Sequence, residues 1–150
     1  MRLSTKGRYG VKAMFDLALN SGSEKTVTLK SIADRQGISE PYLEQLMASL
    51  RKAGLVKSVR GARGGYMLAF AADQITIGDV IRTLEGSMAP TECVDENTQC
   101  DCSEASCCVT RMVWKKIKDS VDGVIDAITI QDMLEQYRKM SGKGLDMYYI

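Results

Sequence analysis

The apolar side chains of the first twenty residues recur at the spacing of a helix. Ser4 can cap this helix, and Ser-Gly-Ser at 21–23 ends it after about Asn20. The face predicted to be buried consists of Val11, Met14, Phe15 and Ala18. The chain therefore begins with an amphipathic helix.

Two more helices are predicted between Thr28 and Gly54, separated by a turn of three residues. Thr28 caps the first, which ends at Gln36, and Gly37 fits the left-handed position after it. Ser39 caps the second, in which Pro41 is tolerated in the first turn. The apolar positions of the pair are Leu29, Ile32, Ala33, Leu43, Leu46, Met47 and Leu50. This spacing is typical of a helix-turn-helix.

The polar face of the second helix predicts contact with base edges in a DNA major groove. It presents Pro41, Glu44, Gln45 and Lys52. Glu44 can accept a hydrogen bond from a cytosine amino group, and Gln45 can pair with adenine. The alternative is that both are ordinary solvent-facing residues of an amphipathic helix.

A β-hairpin with two arginines in its turn is predicted directly after these helices. Residues 55–59 and 66–69 read as strands, and Arg60, Arg63 and three glycines lie between them. The glycines allow close approach, and the arginines can reach phosphates or a narrow minor groove. A nucleotide-phosphate loop is disfavoured because no Lys-Ser/Thr pair follows the glycines. The hairpin therefore predicts a wing.

The remaining pattern predicts three helices. Thr76 begins one with a capping box and Gly86 ends it, a long one runs from about Cys108 to Ile128, and Thr129 begins the last. The long helix carries one apolar stripe, Val109, Val113, Ile117, Val121, Val124 and Ile128. We interpret this stripe as a dimer interface, with burial within the chain as the alternative.

These elements define a mainly α fold with a small β wing: a winged helix-turn-helix plus a long C-terminal dimerisation helix. We expect a DNA-binding region at 1–75, a linking helix and cysteine loop at 76–107, and the dimerisation and last helices at 108–150.

Charge is distributed unevenly along the chain. Residues 1–66 carry 12 Lys/Arg against 5 Asp/Glu, whereas residues 67–150 carry 8 against 14. A basic first half favours phosphate binding, although a chance excess of solvated lysines would look the same. The N-terminus has no apolar signal region and no apolar run is long enough for a membrane span. We expect a cytoplasmic protein.

All five cysteines lie between Cys93 and Cys108, and the sequence contains no histidine. Thiols gathered in an acidic loop predict a metal or redox site, because thiolates bind soft metals and clusters. Zinc and a disulfide are the competing interpretations. A small thiol oxidoreductase is disfavoured, since the chain has no Cys-X-X-Cys in a βαβ setting and no histidine base. We therefore expect no enzyme.

Several segments resemble the IscR family of winged-helix iron–sulfur cluster regulators. They are residues 1–14, Arg35–Ser39, Tyr42–Leu46, Leu50–Val56 and Val59–Tyr66. The resemblance implies a bacterial DNA-binding dimer with a [2Fe–2S] cluster in the cysteine loop that controls cluster-assembly genes. It also implies that Glu44 helps to select DNA sites and that Arg60 contacts DNA from the wing.

The ligand set departs from that family's three cysteines and one histidine. Cys93, Cys102 and Cys108 fall on the cysteines, but Arg111 stands at the histidine position and stays protonated. Cys100 is the favoured fourth ligand, and Cys107 is possible in its place. Because a histidine ligand raises a cluster's potential, we expect a lower potential from four thiolates.

The resulting hypothesis is a cluster-sensing transcriptional regulator, a repressor of iron–sulfur biogenesis genes, whose cluster occupancy controls DNA affinity or site choice. Its partners are a double-stranded DNA operator, a second copy of the chain, and the iron–sulfur assembly machinery as cluster donor. Alternatives on the same fold are a nitric-oxide or redox sensor, a zinc-stabilised regulator and a cysteine-metabolism regulator. The expected DNA-binding residues are Arg2, Lys6, Thr28, Ser39, Pro41, Tyr42, Glu44, Gln45, Arg51, Arg60, Arg63 and Gly64.

Overall fold

Helices make up most of the chain, and one short hairpin interrupts them. The structure, a computed structural model, describes residues 2–22, 25–104, 106 and 108–146. Within these ranges the elements are α1 Thr5–Asn20, α2 Leu29–Gln36, α3 Glu40–Lys52, β1 Val56–Val59, β2 Gly65–Leu68, α4 Ile77–Glu85, α5 Val109–Ala127 and α6 Ile130–Asp146. Two 3₁₀ turns, Ala72–Gln74 and Glu92–Val94, were not predicted. The mainly α fold with a small β wing is confirmed.

The caps read from the sequence set the limits of α2 and α3. The Thr28 hydroxyl accepts a hydrogen bond of 3.2 Å from the Ser31 amide, and Gly37 follows α2 with φ 64°. Ser39 is the N-cap of α3, although its hydroxyl makes no capping hydrogen bond. The predicted stripe Leu43, Leu46, Met47 and Leu50 is buried. Thr28, Gly37 and Ser39 therefore mark the limits of the two helices of the helix-turn-helix.

The wing is an antiparallel pair that lies on a third piece of extended chain. Val56 pairs with Leu68 and Val59 with Gly65, within one residue of the predicted strands. Val27 exchanges two backbone hydrogen bonds of 2.7 and 2.8 Å with Tyr66. The wing is therefore attached to the chain that leads into α2, not only to its own hairpin.

The buried face of α1 differs from the prediction. Ala13, Met14 and Leu17 are fully buried, whereas Val11, Phe15 and Ala18 are half-buried. The reason is that α1 packs against α2, α3, α4 and α6, so more than one side of the helix is covered. A single apolar stripe cannot reveal how several neighbours share a central helix.

Close packing joins α1 to α4. A side chain at Gly10 would collide with Leu84, and one at Gly7 would lie 2.7 Å from the Glu85 carboxylate. That carboxylate accepts hydrogen bonds from the Ser4 amide (2.8 Å), the Gly7 amide (3.0 Å) and the Ser4 hydroxyl. The end of α4 thus caps the start of α1.

The helix α5 lies at the edge of the described structure, and none of its residues is buried. Its exposed large apolar side chains are Val109, Met112, Val113, Ile117 and Val124. The chain returns to the core at Ile130, which is fully buried at the start of α6. Among the described residues, no helix combines the length and the apolarity that a membrane span requires.

Candidate DNA-binding surface and cysteine loop

The outer face of α3 is available for contact. Ser39, Pro41, Glu44, Gln45 and Arg51 are exposed, while the opposite side of the helix is buried. Arg51 also donates a hydrogen bond of 3.3 Å to the Ser58 hydroxyl of β1, which ties the end of α3 to the wing. An exposed polar helix with one face in the core can enter a major groove without disturbing the fold.

Tyr42 is the one expected DNA-binding residue of α3 that is half-buried. Its ring packs edge-on against Tyr9 of α1 at 6.2 Å, and its hydroxyl lies 3.3 Å from the Thr5 hydroxyl. These contacts give Tyr42 a packing role between α1 and α3. Lys6, the residue after Thr5, is exposed. Arg2 is exposed just before α1.

The turn of the wing lies beside the N-terminus of α2. Thr28, Arg63 and Gly64 line one groove together with Lys25, a cation that sequence reasoning missed. The Arg63 carbonyl accepts a hydrogen bond of 2.6 Å from the Thr26 hydroxyl. Arg60 and Arg63 are exposed on either side of Gly61 and Ala62. The turn of the wing thus places Arg63 beside Lys25 at the start of α2, and the start of a helix also favours anions.

The structure explains why residue 64 is a glycine, apart from the DNA contact expected from the sequence. Its amide donates a hydrogen bond of 2.9 Å to the Gly61 carbonyl, which closes the turn. A Cβ at this position would collide with the Val59 carbonyl oxygen. Glycine is therefore required for the turn itself.

An ion pair on a buried carboxylate holds α2 to α1, and sequence reasoning missed it. Asp16 is 2% exposed and accepts hydrogen bonds from Arg35 Nη2 (2.7 Å), Arg35 Nε (2.9 Å) and Gln36 Nε2 (2.9 Å). Burial by itself raises the pKa of Asp16, but the hydrogen bonds from Arg35, Gln36 and Asn20 outweigh it, so the pKa lies below its ordinary value.

The described cysteines fall into two groups. Cys93 lies in the 3₁₀ turn Glu92–Val94, called here the Cys93 turn, and Cys108 is the N-cap of α5. Cys100 and Cys102 lie between them; Cys100 is half-buried and Cys102 is exposed. Cys107, the possible substitute for Cys100, lies outside the described residues. Within the described part of the chain, no three Cys, Asp or Glu side chains converge as a metal site would require.

The Cys93 turn packs on α5. Arg111 Nε donates a hydrogen bond of 3.0 Å to the Cys93 carbonyl, and Val94 is buried at 8% exposure. Just after the turn, Lys118 Nζ lies 3.4 Å from Glu96. The Cys93 thiol lies 3.1 Å from the Thr91 hydroxyl. Cys108 has an equivalent neighbour in Thr110 at 3.1 Å, a contact that lowers the pKa of the Cys108 thiol.

Alternating charges continue from this turn to α4. Lys118 is 13% exposed and also pairs with Asp122 at 2.9 Å. Asp122 accepts a hydrogen bond of 3.2 Å from Arg82 of α4, which pairs with Asp126 as well. Arg82 is on the same helix as Glu85, which caps α1, so α4 connects these charged contacts, called here the charged chain, to α1.

The comparisons with known proteins agree with this geometry. Residues 3–136 match the Rrf2 family, described as an iron-dependent transcriptional regulator. The chain belongs to the Rrf2 family. It is similar to the transcriptional regulator CymR of Bacillus subtilis, at 46% identity over 89% of either chain. It is equally similar to the transcriptional regulator IscR of Cronobacter sakazakii, at 45% identity over 89% of this chain and 80% of that one.

Solved structures of Rrf2-type regulators share the fold. The structure of CymR, named the global cysteine regulator of B. subtilis, matches with a TM-score of 0.74 over 91% of this chain and 98% of that one. The structure of T. potens IscR matches with a TM-score of 0.72 and 55% identity, over 91% and 88%. The resemblance seen in sequence is confirmed. The chain is a transcriptional regulator of the Rrf2 family and not an enzyme.

Proposed function

We propose that this Rrf2 regulator is a dimeric repressor of iron–sulfur biogenesis genes whose DNA binding depends on an iron–sulfur cluster in the cysteine loop. The observation that carries the proposal is the attachment of the cysteine loop to α5 through the Cys93 turn. The loop is anchored on α5, the proposed dimerisation helix. A cofactor that orders the loop can therefore change the relative position of the two DNA-binding surfaces in the dimer.

The reading surface has the components that operator binding requires. In this proposal Glu44 and Gln45 of α3 contact base edges, with Ser39, Pro41 and Tyr42 beside them. The phosphate contacts come from exposed cations and from the start of α2: Arg2, Lys6, Thr28, Arg51, Arg60, Arg63 and Gly64. Phosphate contacts set the position of the protein on the duplex, and base contacts set its preference.

The dimer interface is assigned to the exposed side of α5. Val109, Val113, Ile117 and Val124 are between 37% and 76% exposed and share one face of the helix. Arg111 and Val113 are two residues apart, roughly 200° around a helix, so the loop attachment and the apolar face lie on opposite sides of α5. A second copy can therefore pack on α5 without displacing the cysteine loop.

The donor set fits a [2Fe–2S] cluster by its chemistry. Cys93, Cys100, Cys102 and Cys108 offer four thiols, and thiolates are the usual ligands of such clusters. The ends of the set are held at α5, while Cys100 and Cys102 lie in the loop between them, the first half-buried and the second exposed. A bound cluster would supply a redox-active and oxygen-sensitive group. Cluster donation by the assembly machinery and a cytoplasmic location belong to the same proposal.

In this proposal, the charged chain couples the cysteine loop to the DNA-binding surface. The loop contacts Lys118 through Glu96, Lys118 and Arg82 share Asp122, and Glu85 of α4 caps α1. A change in the loop can shift the equilibrium between two arrangements of the dimer only by its differential free energy in them. The contacts along this route are where such a difference would arise.

Absorption spectroscopy of protein purified without oxygen is the first test. We expect visible absorption from a cluster with two irons per chain, and loss of that absorption when Cys93 or Cys108 is changed to serine. The second measurement is operator affinity with and without the cluster. Colourless protein holding one zinc per chain, or equal affinity of both forms for all operators, would contradict the proposal.

A second candidate function is regulation of cysteine metabolism, because CymR, the relative named as a global cysteine regulator, is as similar to this chain as the IscR of Cronobacter sakazakii is. In that case DNA binding would be independent of iron, and operator selection from genomic DNA would recover cysteine-metabolism promoters. The five clustered cysteines favour the cluster-dependent regulator.

A further inference from the structure

Arg111 occupies an unusual position for a basic residue. It lies in the first turn of α5, three residues after Cys108, and its Nε donates to the carbonyl of Cys93 at 3.0 Å. Its contact is therefore with the backbone of one end of the cysteine loop, while the other end begins the helix that carries it. A guanidinium cannot serve as a ligand, but it can hold the chain of a ligand in place.

The remaining contacts of the Cys93 turn act in the same direction. Val94 supplies the buried apolar contact, and the turn has its own backbone hydrogen bonds, from Val94 to Thr91 at 3.3 Å and from Asp95 to Glu92 at 3.1 Å. Cys102 and its neighbours at 101–104 are exposed. Two halves of the cysteine set thus differ in how they are attached to the helices.

We propose that Arg111 is a positioning residue that holds the Cys93 turn on α5 in the metal-free chain. Cys93 and Cys108 then form a fixed end of the cysteine site, and Cys100 and Cys102 approach it when a metal or cluster binds. This inference rests on the proposed function only in assuming that the cysteines bind a metal or cluster. The attachment itself is a property of the metal-free chain.

Hydrogen exchange of the reduced, metal-free full chain tests the attachment. In Arg111→Ala we expect peptides covering 92–96 to exchange about fivefold faster, which is the effect of losing one ordinary hydrogen bond. Arg111→Lys, which keeps the charge but loses Nε–H, should give a smaller increase. Lys116→Ala is the matched control, because Lys116 is an exposed cation of the same helix, and the structure gives it no hydrogen bond to the Cys93 turn. Peptides from α3 report that each variant is folded.

The thiols give a second readout that a general loss of stability would not produce. Alkylation of the reduced chain, followed by mass spectrometry, should accelerate at Cys93 in Arg111→Ala and remain unchanged at Cys102. Exchange at 92–96 and alkylation at Cys93 equal to those of the unmodified chain would overturn the role of Arg111. That outcome would leave cluster binding intact, so it is separable from a failure of the proposed function.

Discussion

Arg35 donates hydrogen bonds from both Nη2 and Nε to the carboxylate of Asp16. This contact joins α2 to α1, although the two residues are 19 positions apart in sequence. Asp16 is almost completely buried, whereas the Arg35 side chain is 40% exposed. Burial is therefore unequal within the pair: the Asp16 carboxylate has only protein groups as hydrogen-bond donors, whereas the Arg35 guanidinium is still in contact with water. It positions α2, the helix that precedes α3.

Asp16→Asn should destabilise the protein. The amide cannot accept the two-point contact of Arg35, and the loss is about 2 kcal/mol in the free energy of unfolding, since one partner stays solvated. Urea denaturation at neutral pH measures the change. Asp34→Asn, at an exposed carboxylate of α2 next to Arg35, is the control and should cost less than about 0.5 kcal/mol.

The same pair predicts an acid dependence. The folded-state pKa of Asp16 lies below its ordinary value near 3.9, so its contribution is complete above pH about 4 and is lost as the pH falls through the folded pKa. Between pH 5 and pH 2, roughly, the stability of Asp16→Asn should fall less steeply than that of the unmodified protein. Parallel acid limbs in the two proteins would show that Asp16 does not carry this dependence.

The contrast between Asp16 and Thr28 shows what the sequence could predict. Thr28 caps α2 through its hydroxyl, Gly37 ends α2 in the left-handed conformation, and Ser39 is the N-cap position of α3 without a side-chain hydrogen bond. Local rules of this kind were enough to place the limits of α2 and α3. Asp16 is buried only because Arg35 and Gln36 reach it from another helix, and no local pattern contains that information. The anchoring of Cys93 by Arg111 was missed for the same reason. The exposed stripe of α5 was predicted because its periodicity is local, whereas its partner remains a proposal.

Arg60→Ala should weaken operator binding by about tenfold and reduce the slope of log affinity against log salt by about 0.9, the value of one phosphate contact. The reason is that Arg60 is exposed at the end of β1 and makes its proposed contact from the wing. Fluorescence anisotropy at several salt concentrations gives both quantities. Arg138→Ala, an exposed cation on α6, is the control. An unchanged slope in Arg60→Ala would remove Arg60 from the interface.

Glu44→Ala should change which DNA sequences are bound more than how tightly the best one is bound. A side chain that contacts a base edge contributes about 1–3 kcal/mol of discrimination at that base pair, while it adds nothing to phosphate attraction. Selection from a randomised operator library shows whether the preference at one position relaxes. Glu135→Ala on α6 should leave the selected sequences unchanged. Identical selected sequences from Glu44→Ala would mean that Glu44 is only a solvent-facing residue.

Lys118→Met should weaken the coupling between the cysteine loop and DNA binding while leaving the cluster in place. Lys118 is the cation that joins Glu96 of the loop to Asp122, which Arg82 shares. Because partly exposed pairs contribute up to about 1 kcal/mol, the ratio of holo to apo operator affinity should move toward one by up to about fivefold.

The matched control for this prediction is Lys115→Met. Lys115 pairs with Asp119 at 2.8 Å on the same helix, and both side chains are more than half exposed. Its ratio of affinities should equal that of the unmodified protein, and Lys118→Arg should restore most of the coupling because it keeps the cation. If the ratio of holo to apo affinity in Lys118→Met equals that of the unmodified protein, the coupling does not pass through Lys118. A ratio of one in the unmodified protein would instead contradict cluster control of DNA binding itself.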